Sequence, residues 1–324
     1  MKSHILKILK SSAEYISGED LSRELNVSRT AVWKNINALK EEGYVISSVR
    51  NKGYRLEQCP DILDEEIIKN KLQTKKVKTV GTGLSILKTV DSTNAEVKRR
   101  AANGEPEGLV VAAEEQTAGK GRLGRNWQSH ADGGVYFTIL IRPELPPSDI
   151  ASITLAAGYA VCLAVRSYTG CDARIKWPND IIIGTKKVCG ILTEMAAQSD
   201  RLDYVAIGIG INVNQSKFPD EIKDKATSLL LETGNKLDRS DFLAAVIKQL
   251  DTVLNSFLVS LSITEFSDFK NLCATIGRTV SVERNGVTLT GTADDITTKG
   301  ELIINTGSQT ISVNSGEVTV QGIY

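Results

Sequence analysis

The sequence predicts an α+β protein built from three parts, and three observations lead to that prediction. Near the amino end, capped helix signals are followed by an alternating hairpin pattern. The middle of the chain mixes strand and helix signals, which favours an α+β arrangement. From about Leu272 onward, apolar and polar residues alternate between glycine-containing turns, which predicts a small antiparallel barrel. The predicted domains are therefore 1–60, 61–271 and 272–324.

Composition excludes several classes of protein. The 39 Lys and Arg residues balance the 39 Asp and Glu residues, so the net charge does not indicate a nucleic-acid or membrane partner. Five scattered cysteines without C-x-x-C spacing and two histidines exclude a disulfide framework, a zinc site and a Ser-His-Asp triad. Neither a signal peptide nor a membrane-length apolar run is expected, which indicates a cytoplasmic protein without a resident metal site.

The first part has the pattern of two helices joined by a tight turn. Ser17 begins an S-x-x-[DE] capping sequence ahead of Leu21, and Ser28 caps the helix that follows. A basic hairpin around Asn51 then follows, which is typical of a wing. Together these features predict a winged helix-turn-helix that binds DNA. The residues expected to face DNA are Ser28, Arg29, Thr30, Trp33, Lys34, Asn35, Arg50 and Lys52.

A plainer interpretation of the same residues stays open. Trp33 could belong to the core of this part, and the cations could form a solvated face. Ten Lys and Arg against seven Asp and Glu in residues 1–60 give a surplus of +3, which is only a mild indication of a DNA partner.

The stretch GKGRLGRNW, residues 119–127, interleaves glycines with cations. Its first six residues satisfy G-x-G-x-x-G, yet the residues after it are polar and begin no helix, so a dinucleotide fold is not indicated. Free backbone N–H groups in such a turn form an anion-binding nest, and Lys120, Arg122 and Arg125 add positive charge.

Two further motifs flank this loop in the sequence. DSTN, residues 91–94, lies at a predicted helix start, where the ordinary role would be that of an N-cap. KWPND, residues 176–180, follows a predicted strand, and Pro178 is expected to hold Trp177 extended so that Lys176 sits at the strand edge.

In their order along the chain, DSTN, QTAGKGRLGRNW, KWPND, KVCGILTEM and GIGINVN resemble the motifs of biotin protein ligases. With the amino-terminal winged helix, the chain is similar to the bifunctional members of that family that also repress biotin genes. The resemblance implies a central domain of the biotin/lipoate ligase type and an SH3-like carboxy-terminal barrel. One departure is Lys120, where these ligases commonly have arginine.

The resemblance also implies a two-step reaction and its residues. Biotin and ATP form biotinyl-5'-AMP with Mg²⁺, and the biotinyl group passes to a lysine of a biotin carboxyl carrier protein of acetyl-CoA carboxylase or a related carboxylase. The implied catalytic residues are Lys176, Arg122 and Asp180. The implied biotin-binding residues are Ser92, Thr93, Asn94, Gln116, Lys120, Gly121, Arg122, Lys176 and Gly190. The implied ATP and adenylate residues are Gly119, Gly121, Arg122, Arg125, Lys176, Lys187 and Asn212.

As in the resembling repressors, adenylate binding is expected to order the glycine-rich loop and to favour a homodimer that binds operator DNA. Three alternatives stay open. The chain could be a lipoate or octanoate ligase, a biotin sensor without catalysis, or a ligase whose helix-turn-helix is vestigial.

Overall fold

The computed structural model describes residues 1–324 except 130, 132, 199–200, 285–286, 315 and 317, and the side chains of 3, 75, 198 and 284 also lie outside its description. The chain divides into two compact units, Met1–Asp61 and Ile62–Tyr324. The barrel is part of the second unit, so the predicted boundary at residue 271 stays a prediction.

Unit 1 has the predicted helix-turn-helix and hairpin. Its elements are α1 (Lys2–Lys10), α2 (Gly18–Glu24), α3 (Arg29–Glu41), β1 (Val45–Val49) and β2 (Gly53–Gln58). Both predicted caps are confirmed, because Ser17 Oγ accepts from the Asp20 N–H at 3.0 Å and Ser28 Oγ accepts from the Ala31 N–H at 3.2 Å. Apolar residues from all three helices and β1 form a core of their own.

Unit 2 is organised around a mixed sheet. Its first elements are α4 (Glu65–Lys75), β3 (Gly83–Val90), α5 (Thr93–Ala102), β4 (Leu109–Gln116), β5 (Gly134–Ile141) and α6 (Ile150–Thr169). They are followed by β6 (Ala173–Lys176), β7 (Asp180–Ile183), β8 (Lys186–Gln198), β9 (Arg201–Asn212), α7 (Leu229–Thr233) and α8 (Arg239–Ser260). Among the described residues these strands form a seven-stranded sheet in the order β3-β4-β5-β9-β8-β7-β6.

The sheet explains how distant motifs meet. Only β3 and β4 pair in parallel among the described strands, and the remaining neighbours are antiparallel. The KWPND turn therefore joins two neighbouring strands, β6 and β7, while the glycine-rich loop joins β4 to β5. Because β9 and β8 lie between β5 and β7, the cleft between the two turns is floored by β8 and β9.

Helices α6 and α8 correct one expectation. Two helices among the described residues, Pro147–Thr169 and Arg239–Ser260, are long and apolar enough to cross a membrane. The prediction that no segment approaches that length is therefore wrong on length and composition. The two helices pack against each other, and most of each apolar window is buried inside the protein, as expected of core helices.

The remaining elements are α9 (Phe269–Leu272), β10 (Thr279–Arg284), β11 (Val287–Ile296), β12 (Leu302–Asn305), β13 (Thr310–Val313) and β14 (Val318–Val320). The described strands pair in the order β13-β12-β11-β10-β14, which confirms the predicted antiparallel barrel. The predicted turns at Gly300 and Gly307 lie between strands, and the one predicted at 285–286 lies outside the described residues.

Trp177 ties the barrel to the mixed sheet. Its side chain is 1% exposed, and its indole N–H donates to the Gly300 carbonyl at 2.9 Å. Its backbone N–H donates to Thr275 Oγ1 at 3.0 Å. The Trp177–Pro178 peptide bond is cis. Trp177 therefore belongs to the core beneath the turn, while its neighbour Lys176 ends strand β6.

Candidate active site

A cleft that is open to solvent lies between the start of α5, the glycine-rich loop and the floor of β8 and β9. Nine of the residues predicted to bind biotin or nucleotide line it: Ser92, Thr93, Asn94, Gln116, Lys120, Gly121, Arg122, Lys187 and Gly190. Residues as distant in sequence as Ser92 and Gly190 therefore meet in one region of the fold.

A buried polar cluster closes one end of the cleft. Gln116 Oε1 accepts from the Thr93 backbone N–H at 2.8 Å, and the Gln116 amide donates to Ser129 Oγ at 2.8 Å. Ser92 occupies the N-cap position of α5, but its side chain makes no capping hydrogen bond, so the predicted capping role is wrong. The Gln116 side chain, rather than that of Ser92, accepts a hydrogen bond from the first turn of α5. The Ser92 hydroxyl makes no capping bond, and Ser92 lines the cleft.

Asn94 is fixed in one orientation by partners on the sheet. Its Oδ1 lies 2.6 Å from the Thr138 hydroxyl, and its amide donates to the Leu192 carbonyl at 3.2 Å and to Glu194 Oε2 at 2.8 Å. Partial burial works to raise the pKa of Glu194, but hydrogen bonds from Lys98 and Asn94 outweigh it and hold that pKa below its usual value. The ionised Glu194 can only accept, so the Asn94 amide can only donate to it.

The floor of the cleft is bare backbone at three glycines. A Cβ at Gly208 would lie 2.0 Å from Asn94 Oδ1, and one at Gly210 would lie 2.5 Å from the Trp127 indole. A Cβ at Gly190 would lie 2.9 Å from both Trp127 and Lys187. These glycines are therefore required by close side-chain approach rather than by backbone torsion.

The glycine-rich loop folds back on itself. The Gly121 N–H donates to the Arg125 carbonyl at 2.7 Å, and the Trp127 N–H donates to the Gly119 carbonyl at 2.9 Å. At these two positions the predicted nest of free N–H groups is wrong, because both groups already have partners. The Lys120 and Arg125 side chains are exposed, while Gly119 is buried beneath the loop.

Arg122 connects three parts of unit 2. Its Nη1 donates to Asn179 Oδ1 in the KWPND turn at 2.8 Å, and its Nη2 donates to the Gly316 carbonyl of the barrel at 3.0 Å. A guanidinium held by two partners in one plane presents its remaining N–H groups in a fixed direction. Arg122 therefore lies beside the KWPND turn, while its predicted contact with the adenylate stays a prediction.

Lys176 and Lys187 lie on either side of Asp180. Lys176 is 8% exposed, and its Nζ lies 3.6 Å from the centre of the Tyr324 ring. Lys187 Nζ lies 2.6 Å from Asp180 Oδ1, and Asn179 Nδ2 donates to the same oxygen at 3.2 Å. The Tyr324 hydroxyl donates to Asp180 Oδ2. Two cations and one carboxylate are thereby held together beside the KWPND turn, and of the three Lys187 lines the cleft.

Asn212, predicted to bind nucleotide, is largely buried. It is 7% exposed, and its amide donates to the Thr227 carbonyl at 3.0 Å. Its predicted contact with the nucleotide stays a prediction, as do the predicted roles of Gly119, Arg125, Lys176 and Asp180, which do not line the cleft itself.

Comparison with known proteins decides the family. A model of the biotin/lipoate A/B protein ligase family matches residues 86–212, an HTH domain model matches 2–55, and a biotin protein ligase C-terminal domain model matches 275–320. The bifunctional ligase/repressor BirA of Bacillus subtilis is 38% identical over 94% of both chains, and that of Bacillus spizizenii is 43% identical over 74% of this chain and 73% of its own length.

The chain belongs to the biotin protein ligase family, within its bifunctional ligase/repressor branch. A solved structure agrees with this: the biotin protein ligase from Aquifex aeolicus in complex with biotin and ATP has a TM-score of 0.65 and 34% identity, covering 74% of this chain and 99% of that chain. The predicted fold class and family are confirmed.

Unit 1 of this ligase presents the predicted DNA-facing residues outward. Trp33 is 55% exposed, so the alternative that it is a core residue is wrong. Arg29, Lys34, Arg50 and Lys52 are also exposed, whereas the Asn35 amide donates to the Ala31 carbonyl at 2.7 Å. Asn35 is therefore partly engaged within α3, and its contact with a base stays a prediction.

Several residues of the ligase's cleft were not identified from the sequence. Trp127 and Asn179 line the cleft and lie inside motifs already noted, so their position in GKGRLGRNW and KWPND was a usable signal. Glu194 lies in β8 within the KVCGILTEM motif, so its position was also a usable signal, whereas Thr138 lies in β5 and no motif marks it. Tyr324 lies far from any motif.

Proposed function

We propose that this protein activates biotin with ATP, transfers it to a carrier-protein lysine, and represses transcription when the activated intermediate is bound. The observation that supports it best is the juxtaposition of a neutral polar cluster around Asn94 with a cationic end formed by Arg122 and Lys187. Biotin has a neutral ureido ring at one end and a carboxylate at the other, so it matches this polarity.

In the first step the biotin carboxylate attacks the α-phosphorus of ATP, the bond to the β-phosphate oxygen breaks, and pyrophosphate leaves. A carboxylate is already ionised near neutral pH, so no general base is needed. The requirement is for cations, because two anions approach and charge develops on the phosphate oxygens. We assign this role to Lys176 and Arg122, with Lys187 on the nucleotide side.

The polar cluster would hold the ureido ring. Asn94 has an amide whose direction is set by Thr138 and Glu194, and Ser92 brings a hydroxyl that the helix does not use. Fixed donors and acceptors cost no reorganisation when the ligand binds. Lipoate has no ureido group, so the polar groups of this cluster would have no hydrogen-bond partner on bound lipoate.

Magnesium would enter with the nucleotide. Among the described residues there is no group of three His, Cys, Asp or Glu side chains that could hold a metal ion. Mg²⁺ commonly binds through substrate phosphates with few protein ligands, so this donor set fits a metal carried by ATP rather than a resident one. When bound, it neutralises charge on the pyrophosphate.

In the second step a carrier lysine attacks the biotinyl carbonyl carbon, the acyl-phosphate bond breaks, and AMP leaves. The amine must lose a proton, and Asp180 is the carboxylate beside Lys176 that we assign to accept it. Asp180→Asn should retain formation of biotinyl-AMP and slow its transfer. Unchanged transfer of preformed biotinyl-AMP would remove Asp180 from the mechanism.

We assign DNA binding to unit 1 and coupling to the glycine-rich loop, because Leu123 at its tip is 70% exposed and Lys120 is exposed as well. Ordering of this loop over the adenylate would favour a homodimer that matches a two-fold operator. Sedimentation with and without biotinyl-AMP tests this, and an unchanged mass would contradict it. A cytoplasmic location follows from the reaction's need for ATP and carrier protein.

The substrate is tested by ATP–pyrophosphate exchange with biotin, lipoate and octanoate in parallel, followed by transfer to a carrier domain. Exchange with biotin alone is expected. Exchange with lipoate or octanoate and not with biotin would reassign the substrate, and absence of exchange together with biotin binding would indicate a sensor.

A further inference from the structure

Tyr324 lies beside Lys176 and Asp180 of the KWPND motif although it is distant in sequence from every motif. It follows β14 and the turn at 321–322, and its backbone N–H donates to the Thr185 carbonyl at 3.2 Å. Thr185 lies in the turn between β7 and β8, two residues before Lys187. The barrel's last segment is thereby fastened to the same hairpin that carries Asp180 and Lys187.

The Tyr324 side chain makes a different contact at each of its ends. The face of its ring lies 3.6 Å from Lys176 Nζ, within the distance at which a ring attracts a cation. Its hydroxyl donates to Asp180 Oδ2. Lys176 is 8% exposed, so this cation–ring contact is largely shielded from water, which strengthens it.

The two contacts of Tyr324 restrict the conformations of the Lys176 and Asp180 side chains. A lysine side chain is a flexible four-carbon stem, and the ring confines its ammonium to one position. Asp180 Oδ1 is held by Lys187 at 2.6 Å and by Asn179 at 3.2 Å, so the Tyr324 hydroxyl holds the other oxygen and completes the orientation of the carboxylate.

We propose that Tyr324 is a positioning residue of the active site: its ring places the Lys176 ammonium for adenylate formation, and its hydroxyl orients the Asp180 carboxylate for transfer. This proposal rests on the function proposed above, in which Lys176 acts in the first step and Asp180 in the second. Because the ring and the hydroxyl act on different groups, one residue would influence the two chemical steps separately.

Two variants separate the two contacts. Tyr324→Phe keeps the ring over Lys176 and removes the hydroxyl from Asp180, whereas Tyr324→Ala removes both. Adenylate formation is measured by ATP–pyrophosphate exchange, and transfer is measured with preformed biotinyl-AMP and a carrier domain in single turnover.

Tyr324→Phe should leave kcat for exchange within about twofold of the parent and slow transfer by about tenfold, the scale of removing a hydrogen bond to a charged group. Tyr324→Ala should lower kcat for exchange by about three- to tenfold as well, with KM for biotin unchanged, because the biotin end of the cleft is untouched. Phenylalanine thus rescues the first step and not the second.

A measurement independent of catalysis uses the reactivity of Lys176. The full chain is treated briefly with acetic anhydride, and acetylation of Lys176 is quantified by peptide mass spectrometry against exposed Lys69 as an internal reference. Tyr324→Ala should raise acetylation of Lys176 relative to Lys69 by at least about fivefold, the effect of uncovering an ammonium that the ring holds. Tyr324→Phe should leave it unchanged.

The outcomes distinguish the two proposals. Equal Lys176 acetylation in all three proteins would overturn the positioning role, as would slowing of both steps to the same extent by Phe and Ala. If the parent protein itself shows no exchange with biotin, the proposed function fails, and the acetylation ratio still decides whether the ring covers Lys176.

Discussion

The cations in and beside the cleft are held by partners, whereas the cations of α3 are not confined in this way. Arg122 is bonded to Asn179 and Gly316, Lys187 is paired with Asp180, and Lys176 is covered by a ring. On α3, by contrast, Arg29 and Lys34 extend into solvent from a capped helix. Stabilising charge that develops during a reaction requires groups already in place, whereas binding a DNA backbone requires charge density on one face.

This difference between the two sets of cations shows which parts of a functional site can be predicted from sequence. Which residues of a capped helix are exposed depends on the local pattern alone. The helical spacing that buries Val32 and Ile36 and exposes Arg29 and Lys34 can be read from the sequence. The orientation of a cleft cation depends on partners brought by the fold. Arg122 meets Gly316 of the barrel, which is 194 residues further along the chain.

The largest effect is expected when one of the cations that are fixed by partners, Lys176, loses its charge. Lys176→Met keeps a similar length without the charge and should lower kcat for ATP–pyrophosphate exchange by about 10²–10³-fold, as for removal of a preorganised charge at a reaction centre. Lys69→Met on α4 is the control and should leave exchange unchanged. An effect of less than about fivefold for Lys176→Met would mean that the buried cation has no part in the chemistry.

A buried ion pair at the stem of the glycine-rich loop gives the next effect. Arg239 is 1% exposed and donates to Glu114 Oε2 at 2.9 Å and to the Gly134 carbonyl at 2.8 Å. Arg239→Ala leaves the Glu114 carboxylate buried without this partner and should lower the free energy of unfolding by about 3–5 kcal/mol.

Denaturant unfolding measures this change, with the exposed pair of Arg201 and Glu144 as the control. Arg201→Ala should cost less than about 0.5 kcal/mol. Similar decreases in both variants would show that burial does not distinguish the two pairs.

The DNA-facing cations should act through salt dependence. Replacing Arg29 and Lys34 together by alanine should reduce the slope of log affinity against log salt by about one for each phosphate that is no longer neutralised. Arg55 provides a matched control, because its guanidinium is paired with Glu57 at 2.8 Å and lies 4.7 Å from the Tyr15 ring. Arg55→Ala should therefore leave the slope unaltered. If Arg55→Ala reduced the slope as much as the Arg29 and Lys34 replacements, Arg55 of the wing would contact DNA as well.

Glu194 gives a smaller, pH-dependent effect. Its pKa is lowered in the folded state, so its stabilising contribution is present above the ordinary glutamate pKa of about 4.3 and is lost as pH falls through the lowered value. Unfolding measured from about pH 6 downward should show a shallower loss of stability for Glu194→Gln than for the parent. Parallel curves would indicate that this carboxylate is not coupled to folding.

The smallest effect belongs to Lys120. Its side chain is exposed and the family commonly has arginine there, so Lys120→Arg should change KM for biotin by less than about threefold. Surface charge on a loop is worth little until a ligand orders it. A change of about tenfold would show that the guanidinium fork makes a contact that lysine lacks.

Most of the fold followed from local signals, and most of the site's geometry did not. Both caps of the helix-turn-helix were predicted, and so was the mixture of strands and helices in the middle of the chain, because capping and alternation act over a few residues. The long helix α8 was not located, although its buried residues Phe242, Val246, Leu250, Leu254 and Phe257 recur every three to four positions, so a helical pattern is present in the sequence. Thr138 and Glu194 were missed because their relation to Asn94 exists only across strands.

The glycine floor of the cleft has a consequence for redesign. At Gly190, Gly208 and Gly210 the surface facing the ligand is main chain, so no substitution there can remove atoms and deepen the cavity. A single methyl would push against Trp127 or Asn94 instead. Variants intended to accept bulkier biotin analogues must therefore be sought at other lining positions, where Trp127, Ile191 and Leu192 have side chains that can be shortened.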